Sequence, residues 1–509
     1  MMHQVKVNAG SIACVLLLCA CGGTSDNGAI QDTGGAGSDA GLPDAGTVAD
    51  AGPSGLTFPP GFAWGVSTSA FQTEGGIDDD YTDWIAAGKS PAYGVACDFW
   101  NRYEADLANA ASLGVTFFRM SLEWSRIEPV QGQWDTAAVA HYRQILQAVR
   151  DHGRTPLVTL HHFTNPKWVA AAGWWEWDGI VDAFAAYAGY AAEQFGDLVD
   201  HWNPMNEPMV YVSGWSLVEA FPGGKMAAYD SLHRVFHNAV YANARAYDAI
   251  HAKDTIDADG DGKPAQVWLV YAVSPMHPDD PASQESVDAA ARMDYYNNRA
   301  FPNALVNGAL DLDFDGKTDK TVAGLQEGVF DDLKGRVDLI GVNYYNREFV
   351  TPAAGLIPNV DAFPCVQAMP CGKPNRYAGD NGNEIYPPGI YETLKEFSAY
   401  GLPIYVSENG VVDADDDTRP FYLVMHLMQV HRAIAEGIDV RGYLHWSLLD
   451  NYEWTSGYKM KFGLYGVDLD TQSRTERPSA GLYRAIATGN TLPDALIGTY
   501  DKPNINPMK

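Results

Sequence analysis

From residue 56 onward the chain repeats one pattern eight times: an apolar, β-rich run followed by a segment with helical spacing. Strand-like runs are read at 63–70, 117–124, 155–163, 199–206, 267–273, 339–345, 403–407 and 441–447. Helix-like segments are read at 98–113, 135–151, Ile180–Phe195, 227–253, 283–300, 389–400, 419–436 and 479–487. The run 403–407 is continuous and β-rich, as a strand buried on both faces should be. Eight such units imply an α/β fold, a (β/α)8 TIM barrel with loop insertions, over 56–489, with a tail at 490–509. A doubly wound open sheet would need a glycine-rich phosphate loop after the first strand. Trp64-Gly-Val-Ser-Thr-Ser-Ala-Phe-Gln72 is not one.

A barrel collects function at the C-terminal ends of its strands. Those ends carry Gln72, Arg119, Glu123, His161, His162, Asn206, Glu207, Asn343 through Tyr345, Glu408 and Trp446. Glu207 lies in His201-Trp-Asn-Pro-Met-Asn-Glu-Pro208, and Glu408 in Leu402-Pro-Ile-Tyr-Val-Ser-Glu-Asn-Gly410. Taken singly, each reads as an ordinary strand-end Glu. Paired, each with an amide beside it, they are what glycoside hydrolysis asks for: one protonated carboxyl to help the leaving group depart, one ionised to attack or stabilise the sugar cation.

Composition narrows the partner. A net charge of −30, from 34 basic and 64 acidic residues, repels nucleic acid and anionic membrane. A neutral small-molecule or oligosaccharide glycoside fits. Fourteen Trp and 27 Tyr are mostly packing, with some free to stack on the C–H faces of sugars.

Residues 1–21 have a weakly basic start and an apolar run too short to span a membrane, and read as a signal peptide. Leu18-Cys-Ala-Cys21 resembles a bacterial lipoprotein cleavage box with Cys21 as the lipidated residue; ordinary signal cleavage is the alternative. Residues 22–55, rich in Gly, Ala and Asp, make a flexible tether. The expected location is therefore the cell envelope, held by a lipid anchor at the outer membrane or in the periplasm, or else outside the cell. Cys97 stands alone, while Cys365 and Cys371 bracket five residues and suit a disulfide in an exported chain. Asp257, Asp259 and Asp261, and again Asp311, Asp313 and Asp315, spell Asp-x-Asp-x-Asp-Gly, the first half of an EF-hand loop. Trp268 and Val322 stand where the twelfth-position Glu belongs, so weak structural calcium competes with a solvated acidic turn. No cofactor for catalysis is expected.

Ordered motifs then resemble glycoside hydrolase family 1, the β-glucosidase family. They are Phe58-Pro-Pro-Gly-Phe-Ala-Trp-Gly-Val-Ser-Thr-Ser-Ala-Phe-Gln-Thr-Glu-Gly75, Phe118-Arg-Met-Ser-Leu-Glu-Trp-Ser-Arg-Ile127, Asn206-Glu-Pro208, Glu408-Asn-Gly410, Trp446-Ser-Leu-Leu-Asp-Asn-Tyr-Glu-Trp454 and Phe462-Gly-Leu-Tyr-Gly-Val-Asp468. The resemblance implies Glu207 as acid/base and Glu408 as nucleophile, with retention of β configuration. Arg119 and Tyr345 would hold Glu408 ionised and oriented, and Asn206 would grip the sugar 2-hydroxyl. Gln72, His162, Glu453 and Trp454 match the residues for the remaining hydroxyls, and Trp446 matches a pocket wall. Asn343 and Phe462 are taken as further substrate contacts. Phe163 stands where the family commonly has Trp, which removes an N–H donor near the sugar. Glu453 implies unphosphorylated glycosides, because the branch acting on 6-phosphorylated sugars has a small hydroxyl residue there. The resulting expectation is an exo-acting β-glycosidase taking β-glucosides, with β-galactosides and β-fucosides as further substrates. The alternatives are a non-catalytic sugar-binding lipoprotein, or an endo-β-glycanase or transglycosylase on the same fold, with 346–388 shaping extra subsites.

Overall fold

The computed structural model describes residues 54–354, 357–365 and 378–501. Eight parallel strands close into a barrel: β1 (Ala63–Ser67), β2 (Phe117–Ser121), β3 (Thr155–His161), β4 (His201–Met205), β5 (Gln266–Ala272), β6 (Leu339–Asn343), β7 (Ile404–Glu408) and β8 (Val440–Trp446). Each pairs with its neighbours in chain order, and β8 closes on β1 with Gly442 opposite Ala63. The outer ring includes α1 (Phe99–Ser112), α2 (Thr136–Asp151), α3 (Ile180–Phe195), α4 (Tyr229–Lys253), α5 (Gln284–Asp294), α6 (Pro388–Phe397), α7 (Arg419–Ala435) and α8 (Pro478–Gly489).

The helices form where spacing and caps agree. In α2 the carboxylate of Asp135 accepts from the amides of Ala137 and Ala138, satisfying N–H groups that have no partner within the helix. Its buried face is Ala138, Val139, Tyr142, Ile145, Leu146 and Val149. In α3 the buried residues Ile180, Phe184, Tyr187, Ala188, Ala191 and Phe195 recur at helical spacing and pack towards α4. Each fully buried Ile or Phe side chain among them contributes about 1.5–3 kcal/mol. Inside the barrel, towards the strand N-termini, Leu157, Trp268, Val270, Leu339, Tyr405 and Leu444 form a separate apolar plug with Phe117. The plug fills that end of the barrel with apolar side chains.

Several boundaries differ from the sequence reading. The first strand stops at Ser67, and Ala70–Thr73 is a helical turn with the Thr73 hydroxyl donating to the Ser69 carbonyl at 2.7 Å. The second stops at Ser121, and Trp124–Ile127 is helical, capped by Glu123. The segment read as one helix at 283–300 is α5, a π-turn at Tyr295–Arg299 and a second helix, Ala300–Asn307. Beyond 489 the chain is built into the domain: Thr491–Pro493 pairs antiparallel with Gly55–Thr57, Leu492 is fully buried, and Asp494–Tyr500 is helical. The insertion after β6 adds strands Glu348–Pro352 and Ala362–Pro364 to Met276–Pro278 in a small sheet at the rim. Cys365 follows directly and is disulfide-bonded, whereas Cys371 and the expected lipidation site Cys21 lie outside the described residues.

Candidate active site

Glu207 sits one residue past Asn206, at the junction of β4 and a helix, Pro208–Leu217, whose first residue is proline. Its backbone is left-handed, with φ 44° and ψ 58°. That conformation is strained for a residue with a Cβ, and here the fold pins it on both sides. The Glu207 amide donates to the Val270 carbonyl at 3.0 Å, and the Asn206 amide to the His161 carbonyl at 2.9 Å. Glu408 ends β7, where the register with β6 shifts: Val342 faces Val406, but Asn343 faces Glu408. One residue, Ser407, is left over as a bulge that re-aims the side chain beyond it.

The two carboxyls differ in surroundings. An Nη1 donor of the fully buried Arg119 is ion-paired to Oε1 of Glu408, and the Tyr345 hydroxyl donates to Oε2 at 2.7 Å. Charge-assisted bonds of this kind are short and strong, and they fix the direction in which the carboxylate points. Glu207 receives one donor, Asn343 Nδ2, at 2.7 Å. Burial raises its pKa to about 8, the Glu408 charge adds to the rise, and the Asn343 bond and Arg119 oppose it. One carboxylate is clamped by a cation and the other is kept protonated at neutral pH. That division suits an acid and a nucleophile.

Amides knit the pair together. Arg119 Nη2 donates to Asn206 Oδ1 at 2.6 Å, and Asn206 Nδ2 lies 3.4 Å from His162 Nε2. Burial, Arg119 and His161 hold the His162 pKa well below the ordinary histidine value, so its ring is neutral, and Nδ1 has no protein partner. Trp446 and Trp454 flank the same ring in near-parallel planes, each 6.1 Å away. The Trp446 Nε1 donates to Glu453 at 3.4 Å. Gln72 is held by Ser69 at 2.7 Å and by Asn451 at 3.0 Å. Burial raises Glu453 to about 8, and the groups that adjust it are Trp446, Gln72 and two carboxylates, Glu408 and Asp450. Phe462 packs with Trp446, Val412 and Met460 beside Tyr345, and Phe163 packs edge-on against Trp454 at 5.3 Å.

The structure thus gathers Gln72, Arg119, His162, Phe163, Asn206, Glu207, Asn343, Tyr345, Glu408, Trp446, Glu453, Trp454 and Phe462 at one end of the barrel. Three other strand-end residues are used elsewhere. The buried Tyr344 donates its hydroxyl to the Tyr386 carbonyl. His161 Nε2 meets Asn165 at 3.2 Å and packs on Trp175 and Tyr211, as a core histidine. Glu123 accepts from Ser125 and Thr164. Sequence reasoning did not single out Asn451, Thr159 or Ser407, which hold site residues without facing a sugar themselves. Asn451 and Ser407 left a trace, lying within the Trp446–Trp454 and Leu402–Gly410 motifs.

The Asp257–Asp261 loop lies beside Asp200 at the N-terminal end of β4, and the Asp311–Asp315 loop packs outside the barrel against Tyr295 and His233. Oxygens of Asp311, Asp313 and Asp315 converge within 4.8 Å of one another. Lys320 Nζ sits 2.6 Å from both Asp313 and Asp315. In the other loop Asp257 and Asp259 converge with Asp200, while Asp261 turns to accept from Gln266 at 2.9 Å.

Comparison with known proteins agrees with this geometry. The model of the family "Glycosyl hydrolase family 1" matches residues 55–492. The chain is 34% identical to a β-galactosidase of Pyrococcus woesei over 85% of its length and 97% of that protein. It is 32% identical to β-glucosidase A of Thermotoga maritima, covering 86% of this chain and 99% of the other. The solved β-glycosidase of Pyrococcus horikoshii superposes with a TM-score of 0.78 at 32% identity, covering 89% of this chain and all of that one. Neither the binding-only nor the endo-acting alternative is favoured by these relatives. The chain belongs to glycosyl hydrolase family 1 and is a β-glycosidase.

Proposed function

We propose that the enzyme hydrolyses unphosphorylated β-glucosides from the non-reducing end by double displacement with retention, and accepts β-galactosides as well. The carrying observation is the division of labour between the two carboxyls. Glu408, clamped by Arg119 and Tyr345, attacks the anomeric carbon and forms a covalent glycosyl ester. Glu207, protonated, gives its proton to the departing oxygen, then as carboxylate takes one from the water that cleaves the ester. Asn206 holds the 2-hydroxyl. Gln72, the open His162 nitrogen and Glu453 take the remaining hydroxyls, and Glu453, standing where the branch acting on 6-phosphorylated sugars has a small hydroxyl residue, supports an unphosphorylated substrate. The relatives' names divide between β-galactosidase and β-glucosidase, which supports use of both sugars. The test is hydrolysis of a panel of aryl β-glycosides with the anomer of the first product read by NMR. Release of the α-anomer, or no turnover of any member by folded enzyme, refutes the reading.

The chemistry uses no metal, and calcium is proposed only as a structural ion in the Asp311–Asp315 loop, where it would displace the Lys320 ammonium. Calorimetric uptake, with a lower melting temperature in chelator, is expected; neither effect appearing rules calcium out. Lipidation of Cys21 is proposed from the cleavage-box motif and the tether behind it. Labelled palmitate should enter the full chain made in a bacterium and be absent from Cys21→Ser. An unlabelled wild type refutes the anchor.

A further inference from the structure

We propose that Ser407 is a positioning residue for the acid/base: its hydroxyl fixes which way the Asn343 amide faces, and that amide in turn aims Glu207. The proposal rests on the reading of Glu207 as acid/base.

The bulge places Ser407 where ordinary pleating would not. In an unbroken strand the residue before Glu408 points to the opposite face. Here the extra residue lets the Ser407 hydroxyl and the Glu408 carboxylate serve the same end of the barrel. The Ser407 hydroxyl donates to Asn343 Oδ1 at 2.7 Å, and its carbonyl accepts from the Ser67 hydroxyl at 2.9 Å. Both residues are buried. Gly341, across on β6, leaves room for the serine: a Cβ there would lie 2.6 Å from Ser407 Oγ.

The orientation of the Asn343 amide is then set from both ends. Its oxygen faces a hydroxyl that can donate. Its nitrogen faces two acceptors, Glu207 Oε1 at 2.7 Å and Asn206 Oδ1 at 3.4 Å. Asn206 Oδ1 is itself committed as an acceptor by Arg119. Without the Ser407 donor, nothing requires the Asn343 oxygen to stay turned away from Glu207, and a turned amide would accept from the protonated Glu207 carboxyl and leave its ionised form without this donor. The other groups facing Glu207 are Glu408 from β7, Arg119 from β2, Glu453 from the loop after β8 and Tyr345 beyond β6. Among these neighbours Asn343 is the hydrogen-bond donor that lowers the Glu207 pKa.

That gives the test a sign that a merely structural role would not share. Loss of the Asn343 donor raises the Glu207 pKa, whereas loosening that admits water lowers it, because burial is the main cause of its elevation. In Ser407→Ala the basic limb of kcat/KM on phenyl β-glucoside should move up by roughly half a pH unit. kcat should fall about tenfold with KM within about twofold. Ser407→Thr keeps a hydroxyl and should restore the wild-type profile. In an Asn343→Ala background, Ser407→Ala should add less than about a twofold loss, because the two act in series. A downward or unmoved limb, or additive losses in the double variant, overturns the proposal. Glu207→Gln run alongside separates the two failures. If its kcat/KM falls equally on phenyl and dinitrophenyl β-glucosides, the acid assignment fails and Ser407 has nothing to act through. If it loses the phenyl glucoside selectively, only the Ser407 proposal is at stake.

Discussion

Glu408→Gln is expected to abolish turnover across the aryl β-glycoside panel while leaving the enzyme folded and able to bind sugar. An amide oxygen is too weak a nucleophile to form the glycosyl ester, so the loss should reach roughly 10⁴-fold or more in kcat and be the same for good and poor leaving groups. The pocket should survive, because Gln matches Glu in shape and its oxygen can still accept from Arg119. The cost falls on stability. Arg119 is fully buried and would lose its counter-charge, and leaving one partner of a buried pair unmatched costs about 3–5 kcal/mol. The preserved hydrogen bond offsets part of that, so a lower melting temperature with an unchanged circular dichroism spectrum is the accompanying signature. Binding of a β-glucoside, measured by tryptophan fluorescence, should persist through Trp446 and Trp454. A folded variant retaining more than about one per cent of wild-type kcat would remove Glu408 from the covalent role.

How much of this is legible in sequence follows from what each feature costs to hide. Strands covered on both faces must be apolar throughout and helices must carry an apolar stripe, so the eightfold alternation shows in composition and spacing. Glu207, Glu408 and Arg119 are legible because they fall towards the ends of those runs within ordered motifs, and Tyr345 because it ends the run 339–345. Strand ends are less so: nothing in Ser67 through Thr73 marks where β1 gives way to a helical turn, because that depends on side chains bonding back to the main chain. The bulge at Ser407 is invisible for the same kind of reason. One extra residue changes register without changing composition, and only the pairing of Asn343 with Glu408 reveals it. His161 and His162 show the limit from the other side. Adjacent and alike on paper, they point to opposite faces of β3's end, one into packed aromatics and one beside Asn206. The acidic loops follow suit: motif spacing finds Asp257 and Asp259, but Asp200, distant in sequence, replaces Asp261 among the converging oxygens.

Glu207→Gln should divide substrates by leaving group. In the first step the wild-type proton goes to the departing oxygen, which matters for a poor leaving group such as phenolate and little for dinitrophenolate. A positioned general acid is worth about 10²–10⁴-fold, so kcat/KM on phenyl β-glucoside should fall by that factor while the dinitrophenyl glucoside stays near wild type. The second step loses its base, so with the activated substrate the glycosyl ester on Glu408 accumulates and kcat drops even where kcat/KM does not. Azide, which needs no deprotonation, should then restore turnover and yield the β-glycosyl azide, whose configuration reports two inversions. The pH profile carries the same assignment. Glu207 must be protonated in the first step and its pKa lies at about 8, so wild-type kcat/KM on the phenyl glucoside should be full below that value and fall as pH rises through it. In Glu207→Gln that contribution to the limb disappears. Glu453 also titrates at about 8, which is why the limb alone does not identify the acid. Changing Glu453 would weaken binding of phenyl and dinitrophenyl glucosides alike, since it holds the sugar and not the leaving group. Only the residue that hands its proton to the departing oxygen separates the two substrates, and a Glu207→Gln enzyme whose kcat/KM fell equally on both would remove Glu207 from that role.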